Sequence, residues 1–144
     1  MKISTKGRYA LRLMLDLAVY DTGEPVSLKD VAVRQNISEK YLEQIISILH
    51  RAGLVRSVRG AGGGYLLTKK PEEYTVGDIL RLTEGDLTPV GCVGNNPEPC
   101  EREAMCVTVE IWQKIYDAIS EVVDNITLEY LVNRFHEKGS DYVI

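Results

Sequence analysis

SLKDVAVRQNISEKYLEQIISILHRAGLVRSVRGAGGGYLLT, residues 27–68, is the stretch whose reading decides the fold. Ser27 is placed to cap a helix, with Asp30 three residues on as an acidic partner, and Val31, Ala32 and Ile37 supply the apolar positions that close this helix onto a turn. Ser38 is placed to cap a second helix, on which Leu42, Ile45, Ile46 and Leu49 recur at helical spacing and face inward. Lys40, Glu43, Gln44, Ser47 and Arg51 fall on the opposite side, with Tyr41 in the first turn, and this outer face is the candidate reader of DNA. Gly53 marks the helix stop, and Leu54 to Val58 and Tyr65 to Thr68 read as two strands of a hairpin. The pattern predicts a winged helix-turn-helix.

The hairpin tip, Arg59-Gly60-Ala61-Gly62-Gly63-Gly64, has few side chains to hold it off a partner's backbone, and Arg56 and Arg59 put positive charge beside it. A tip of this kind suits phosphates or a narrow groove. Glycine runs are commonly plain turns and a face of Lys, Glu and Gln is commonly only solvated; the order and spacing of the two together favour DNA. A nucleotide-binding loop is excluded, because the glycines lead into a strand and no helix N-terminus or Gly-Lys-Ser follows.

Working outward, the 144 residues, 44% of them hydrophobic, suit one domain or a small domain with a helical extension. No apolar run is long enough to span a bilayer, and Lys2, Lys6, Arg8, Arg12 and Asp16 deny the N-terminus the apolar core of a signal peptide; a cytoplasmic protein is expected. The net charge of −4 conceals a division: residues 1–70 carry 12 Lys and Arg against 6 Asp and Glu, whereas residues 71–144 carry 5 against 15. A basic front half joined to an acidic rear half fits a DNA-reading module attached to something else.

In chain order, a helix is expected from near Thr5 to Tyr20, with Leu11, Met14, Leu15 and Ala18 as its apolar stripe; Lys2, Ser4, Lys6 and Arg8 ahead of it are further candidates for phosphate contact. Beyond the wing, Pro71 breaks the strand, and Thr75 with Asp78 starts a helix running to about Glu84. Periodicity then disappears between Gly85 and Arg102. A long helix is predicted from about Glu101 to Asn125, its positions Trp112, Ile115, Ile119, Val122 and Ile126 forming a heptad seam suited to a twin in a homodimer. Thr127 caps a short helix, Leu128 to about Arg134, before a loose tail from Gly139. The expected architecture is mainly α with a small β-hairpin wing: residues 1–84 a winged helix-turn-helix DNA-binding domain, 85–105 a cysteine-bearing loop, 106–136 a long dimerisation helix with a short terminal helix, and 137–144 a tail.

All three cysteines, Cys92, Cys100 and Cys106, lie in or at the edge of that loop. A lone free cysteine is ordinarily a small hydrophobe, but three within fifteen residues can converge on one centre. Their spacing is not that of structural zinc sites, and the two histidines, His50 and His136, are far along the chain; soft thiolates without zinc spacing favour an iron–sulfur cluster. No Ser, His and Asp set, cofactor loop or carboxylate pair marks an enzyme.

From first residue to last the chain resembles the Rrf-type winged-helix transcription regulators of bacteria, the group containing IscR, NsrR and CymR. The matching stretches are MKISTKGRYAL (1–11), SEKYLEQI (38–45), GLVRSVRGAGGGYLL (53–67), TVGDILRLTEG (75–85), CVTVEIW (106–112) and NITLEYLV (125–132). The resemblance implies a homodimer on a palindromic operator in double-stranded DNA, with Glu43 and Gln44 in the major groove and Arg59 in the minor groove. It also implies that Cys92, Cys100 and Cys106 match the three cluster-binding cysteines of the IscR and NsrR branches; the expectation for this chain is a two-iron two-sulfur cluster and a repressor of iron–sulfur cluster assembly genes. Val109 stands where one branch has a histidine ligand and Arg8 where the other has an aspartate, so the fourth ligand is open among Glu101, Glu103, Glu110, a water and a partner-chain residue. The CymR branch lacks the triad and answers to a partner enzyme of cysteine synthesis. The alternative implied is therefore a cluster-free regulator of sulfur metabolism.

Overall fold

Tyr74 is wholly buried, and its hydroxyl donates to the Leu54 carbonyl at 2.7 Å while accepting from the backbone N–H groups of Thr68 and Lys69, each at 3.0 Å. Around it the computed structural model, which describes residues 1–141, arranges α1 (Thr5–Val19), α2 (Leu28–Gln35), α3 (Glu39–Arg51), β1 (Val55–Val58), β2 (Gly64–Leu67), α4 (Val76–Glu84), α5 (Val109–Asp124) and α6 (Leu128–Asp141). The described residues thus form six α-helices and one antiparallel two-stranded sheet, the mainly α winged fold that the pattern predicts.

Each helix of the reading head starts where a short polar side chain satisfies an orphan amide. Ser27 accepts from Asp30 N–H at 3.2 Å and Ser38 from Tyr41 N–H at 3.0 Å, so both predicted caps are in place, although Asp30 serves through its amide and not through a reciprocal carboxylate bond. At Thr75 the box is complete: Asp78 N–H donates to Thr75 Oγ1 and Thr75 N–H to the Asp78 carboxylate, both at 3.0 Å. Asn36 turns α2 into α3 in the left-handed region, at φ +53°, and Gly53 ends α3 at φ +77°.

The core lies between α1, α2, α3 and the foot of the wing. Leu13, Met14, Val31, Leu42, Ile45, Leu49 and Ile79 are fully buried in it, and Leu128 joins them from α6. One charge is buried with them: Asp16 of α1 accepts from Nη2 and Nε of the Arg34 guanidinium, at 2.7 and 3.0 Å, and from the Gln35 amide at 2.9 Å. Arg34 also lies over the Tyr20 ring at 3.9 Å, so α2 is riveted to the end of α1 by a satisfied ionic cluster. At the other end of α1, Ser4 caps the helix and donates to Glu84 of α4 at 2.5 Å; a Cβ on Gly7 would collide with that carboxylate. Ser4 is therefore spoken for, and of the leading polar residues only Lys2, Lys6 and Arg8 remain candidates for phosphate.

The predicted strands appear with edges shifted by one residue, paired from Val55 with Leu67 to Val58 with Gly64. Val26, in the loop before α2, pairs with Tyr65 on the other edge of β2, at 3.0 and 2.8 Å. This contact explains Gly64, because a Cβ there would strike the Val26 backbone, and Gly63 is likewise confined by the Val58 carbonyl. Two of the wing's glycines are thus demanded by the fold itself.

Behind the head, α4 and α5 cross closely at Gly77, where a Cβ would meet Asp124, and Arg81 grips Asp124 at 2.5 and 3.0 Å. That guanidinium holds the Asp124 carboxyl below the usual carboxylate range. Two predicted boundaries are corrected here. The long helix begins at Val109, not near Glu101, because Cys106 is extended at φ −85° and ψ 103° and the β-branched run Val107-Thr108-Val109 resists helix; Glu103–Met105 is a separate 3-10 turn. The last helix continues past Arg134, helped by an ion pair from Arg134 to Glu137, and spans Gly139, where a loose tail was expected; residues 142–144 lie outside the described residues.

Replacing Tyr74 by Phe removes the bonds to the Leu54 carbonyl and to the Thr68 and Lys69 amides, leaving between the first two only the long Thr68 N–H to Leu54 carbonyl contact of 3.4 Å. A loss of about 1–3 kcal/mol in urea unfolding is expected, with faster amide exchange at Thr68 and Lys69.

Candidate nucleic-acid interface and cysteine loop

Because Leu42, Ile45, Ile46 and Leu49 bury one side of α3 almost completely, the other side is left to solvent. Lys40, Glu43, Gln44, Ser47 and Arg51 are all exposed on it, as the spacing predicts. Tyr41 differs from them: it is half-buried, its ring edge-on to Tyr9 of α1 with centroids 5.7 Å apart. Arg12 sits over that same Tyr9 ring at 5.2 Å and bonds Gln35 of α2, which places a cation beside the first turn of α3. Arg8, the neighbouring cation, is exposed and donates to Thr5 Oγ1 at 2.9 Å.

The wing stands next to α3. Glu43, Ser47 and His50 from the helix and Ser57 and Tyr65 from the strands line one cleft between them. Arg56, Arg59 and Gly60 are exposed at and below the tip, where Gly60 takes φ +110° and a Gly60 carbonyl to Gly63 N–H bond of 3.0 Å closes the turn. The cleft separates the exposed face of α3 from the strands of the wing, and the polar side chains of helix and wing are of the types that meet base edges and phosphates. His50 and Arg12 were not singled out by sequence. His50 lies seven residues from Glu43 and three from Ser47, a spacing a helical wheel reveals, whereas Arg12 becomes relevant only through the packing of α1 on α3.

The loop after α4 is irregular but tied down. Leu87 and Val93 are buried at 5% exposure each, and Leu87 joins Val76, Leu80 and Val123 in a second small core. Asp86 accepts from Asn95 N–H at 3.1 Å and from the Tyr116 hydroxyl of α5 at 3.2 Å. Cys92 and Cys100 are exposed, Cys106 is partly exposed, and all three thiols are free. Cys106 Sγ lies 3.3 Å from Thr108 Oγ1; that hydroxyl, the Val109 and Thr108 amides at the start of α5, and the Arg102 charge push its thiol below the ordinary range. By donor chemistry the set suits an iron–sulfur cluster: three reachable soft thiols on one segment. Among the described residues, however, no three metal-binding side chains stand together, and holding a cluster would require the loop to draw inward. Cys106, Glu101, Arg102, Met105, Val107 and Thr108 line an open hollow at that edge.

Beyond the loop, α5 buries only Val123, while Ile111, Ile115 and Val122 are exposed at 51%, 37% and 57%. Val122 and Ile119 continue into an apolar groove lined also by Met1, Ile3, Leu80 and Leu87. Among the described residues no helix is long and apolar enough to cross a membrane.

A family model described as Rrf2, iron-dependent transcriptional regulator, matches residues 3–134. The HTH-type transcriptional regulator CymR of Bacillus subtilis strain 168 is 48% identical over 133 residues, covering 92% of this chain and 91% of its own. The structure of CymR, the global cysteine regulator of B. subtilis, superposes with a TM-score of 0.77 over 93% of this chain and 98% of that one. The structure of T. potens IscR, 43% identical, does so equally well, at 0.77 over 96% and 90%.

Alkylation of Cys106 by iodoacetamide is expected to show a pH midpoint below the value of about 8.5 for a free thiol, because the thiolate persists to lower pH. In Thr108→Val the midpoint should rise, read by mass spectrometry of the modified peptide.

Proposed function

Because the chain belongs to the Rrf2 family of transcriptional regulators, and is a DNA-binding regulator and not an enzyme, we propose that it works as a cytoplasmic homodimer on a palindromic operator, with DNA affinity set by an iron–sulfur cluster. The single observation that supports this most is the position of the three free thiols. They hang on the segment that joins the reading head to the apolar, unburied face of α5.

In this reading α3 lies in the major groove. Glu43 accepts from cytosine N4, Gln44 pairs with adenine, and Lys40, Ser47, Arg51 and Arg56 take phosphates or neighbouring edges. Arg59 and Gly60 at the wing tip enter the minor groove, where glycine leaves room and the guanidinium meets the groove's negative potential. Two copies joined along α5 present two such heads, and half-sites about one helical turn apart follow from the twofold symmetry.

Cys92, Cys100 and Cys106 are the residues that would hold a cluster, of the two-iron two-sulfur kind, and it would supply a redox- and iron-responsive group at the N-terminal end of α5. A chain without a fourth cysteine leaves that position to Glu101, Glu103, Glu110, a water or the partner subunit, and incomplete protein ligation makes the group easy to lose, as a sensor requires. The regulated genes in this reading are those of iron–sulfur cluster assembly, under repression. A second reading, a cluster-free repressor of cysteine metabolism governed by a partner enzyme, draws support from the 48% identity to CymR and from thiols that are not gathered in one centre.

Anaerobically prepared protein decides between them. Visible absorption with iron and sulfide bound in stoichiometric amounts, and lost together in the Cys92, Cys100 and Cys106 alanine variants, is expected; colourless, iron-free protein with unaltered DNA binding would favour the second reading.

For DNA, enrichment of bound sequences from a random pool should yield an inverted repeat. On that sequence Gln44→Ala should relax base preference and Arg59→Ala weaken binding, each by about 1–3 kcal/mol where the lost contact is to a base. Equal losses on selected and random DNA for Gln44→Ala would show that it reads no base.

A further inference from the structure

Besides the apolar packing of Leu87, one carboxylate bonds the cysteine loop to α5. Asp86, the second residue after α4, spends its two oxygens on two different elements: Oδ2 accepts from Asn95 N–H in the loop at 3.1 Å, and Oδ1 accepts from the Tyr116 hydroxyl on α5 at 3.2 Å. The adjoining backbone is shaped to this carboxylate. Gly94 runs at φ +109°, and a Cβ there would press on Asp86 Oδ2 and the Thr88 methyl, so only glycine lets the chain pass. Thr88 N–H returns to the Asp86 carbonyl at 2.9 Å, and Glu98 N–H closes the loop on the Gly91 carbonyl at 2.9 Å.

The flanking residues tie this turn in. Leu87 is buried in the core shared by α4 and α5, and Val93, between Cys92 and Gly94, is buried as well. Tyr116 lies one turn beyond Trp112, the chain's single tryptophan, on the helix whose apolar face is unpaired. A shift of the Cys92 segment therefore has a short covalent path through Val93 and Gly94 to Asn95, whose N–H is hydrogen-bonded to Asp86. From there a hydrogen bond reaches the middle of α5.

We propose that Asp86 is a positioning residue, the joint by which the conformation of the cysteine loop sets the placement of α5 and hence the separation of the two recognition helices. This rests on the reading that the loop governs DNA binding, but the joint itself is a property of the chain without metal. Coupling of this kind is reciprocal: a disturbance in the loop must loosen α5, and a disturbance in α5 must loosen the loop.

Hydrogen exchange on the cluster-free full-length protein tests it. Tyr116→Phe, which removes one oxygen, should speed exchange at residues 86–96 by about two- to tenfold, the range of one net hydrogen bond, and Gly94→Ala should do the same at residues 112–120. In the cycle of Asp86→Ala, Tyr116→Phe and their double variant, the double should be no worse than Asp86→Ala alone. Effects confined to the mutated element, or adding in the double variant, would overturn the joint. Tyr116→Phe carries the test alone where Gly94→Ala fails to fold by circular dichroism. Wild-type protein that takes up no ferrous iron and sulfide on anaerobic reconstitution sinks the cluster reading and not the joint. Normal uptake beside confined exchange effects sinks the joint alone.

Discussion

The hydroxyl of Tyr74 is the contact on which the rest of the structure depends, because two separate pieces of chain end on one buried oxygen. The exit of α3 arrives as the Leu54 carbonyl and the exit of the wing as the Thr68 and Lys69 amides. The Tyr74 backbone carbonyl then receives Leu128 N–H at 2.9 Å, and Val76 N–H reaches the Ile126 carbonyl at 2.9 Å, so α6 begins on the same strand. Reading head and rear helices are thereby joined by short backbone links and not only by apolar packing. Around a buried hydroxyl each unmade bond is costly, which makes the junction cooperative.

A second constraint fixes orientation. Asp16 is enclosed, yet every oxygen of its carboxylate is occupied by Arg34 or Gln35, so the charge is neutralised where it lies and α2 cannot rotate without stripping it. With α2 set by Asp16 and α3 set by its row of leucine and isoleucine, the polar side of α3 has one direction left to face. The cationic tip stands beside it because Val26 holds β2 from behind. The direction in which the exposed side of α3 faces is thus set from the inside outward.

The head was legible from sequence because its signals are local. Serine caps, a helical apolar repeat and a glycine-rich turn act within a few residues of themselves, and all three reappear at Ser27, Ser38, Thr75, Leu42 to Leu49 and Gly60. What sequence did not show depends on residues distant along the chain. The Ser4 hydroxyl answers to Glu84, eighty positions later, and Gly64 answers to Val26, so a cap and a glycine that look available for a ligand are used internally. The start of α5 was misplaced because Glu101 to Met105 has good helix formers, whereas the extended Cys106 and the β-branched residues after it interrupt the helix. Three cysteines signal shared chemistry by proximity in sequence, but their arrangement around a common centre is a property of loop closure that spacing does not encode.

The manner in which α5 is held has a mechanical consequence. Its C-terminal end is clamped by Val123 and the Arg81–Asp124 pair, its middle is stayed by Tyr116, and its first turns are at most partly buried, at Val109 and Trp112. Sixteen residues make a rod about 24 Å long, so a tilt of about 5° at the clamped end carries the far tip through about 2 Å. The helix is a cantilever whose far end, Val109, lies three residues after Cys106, and a modest force applied there works at the longest available arm.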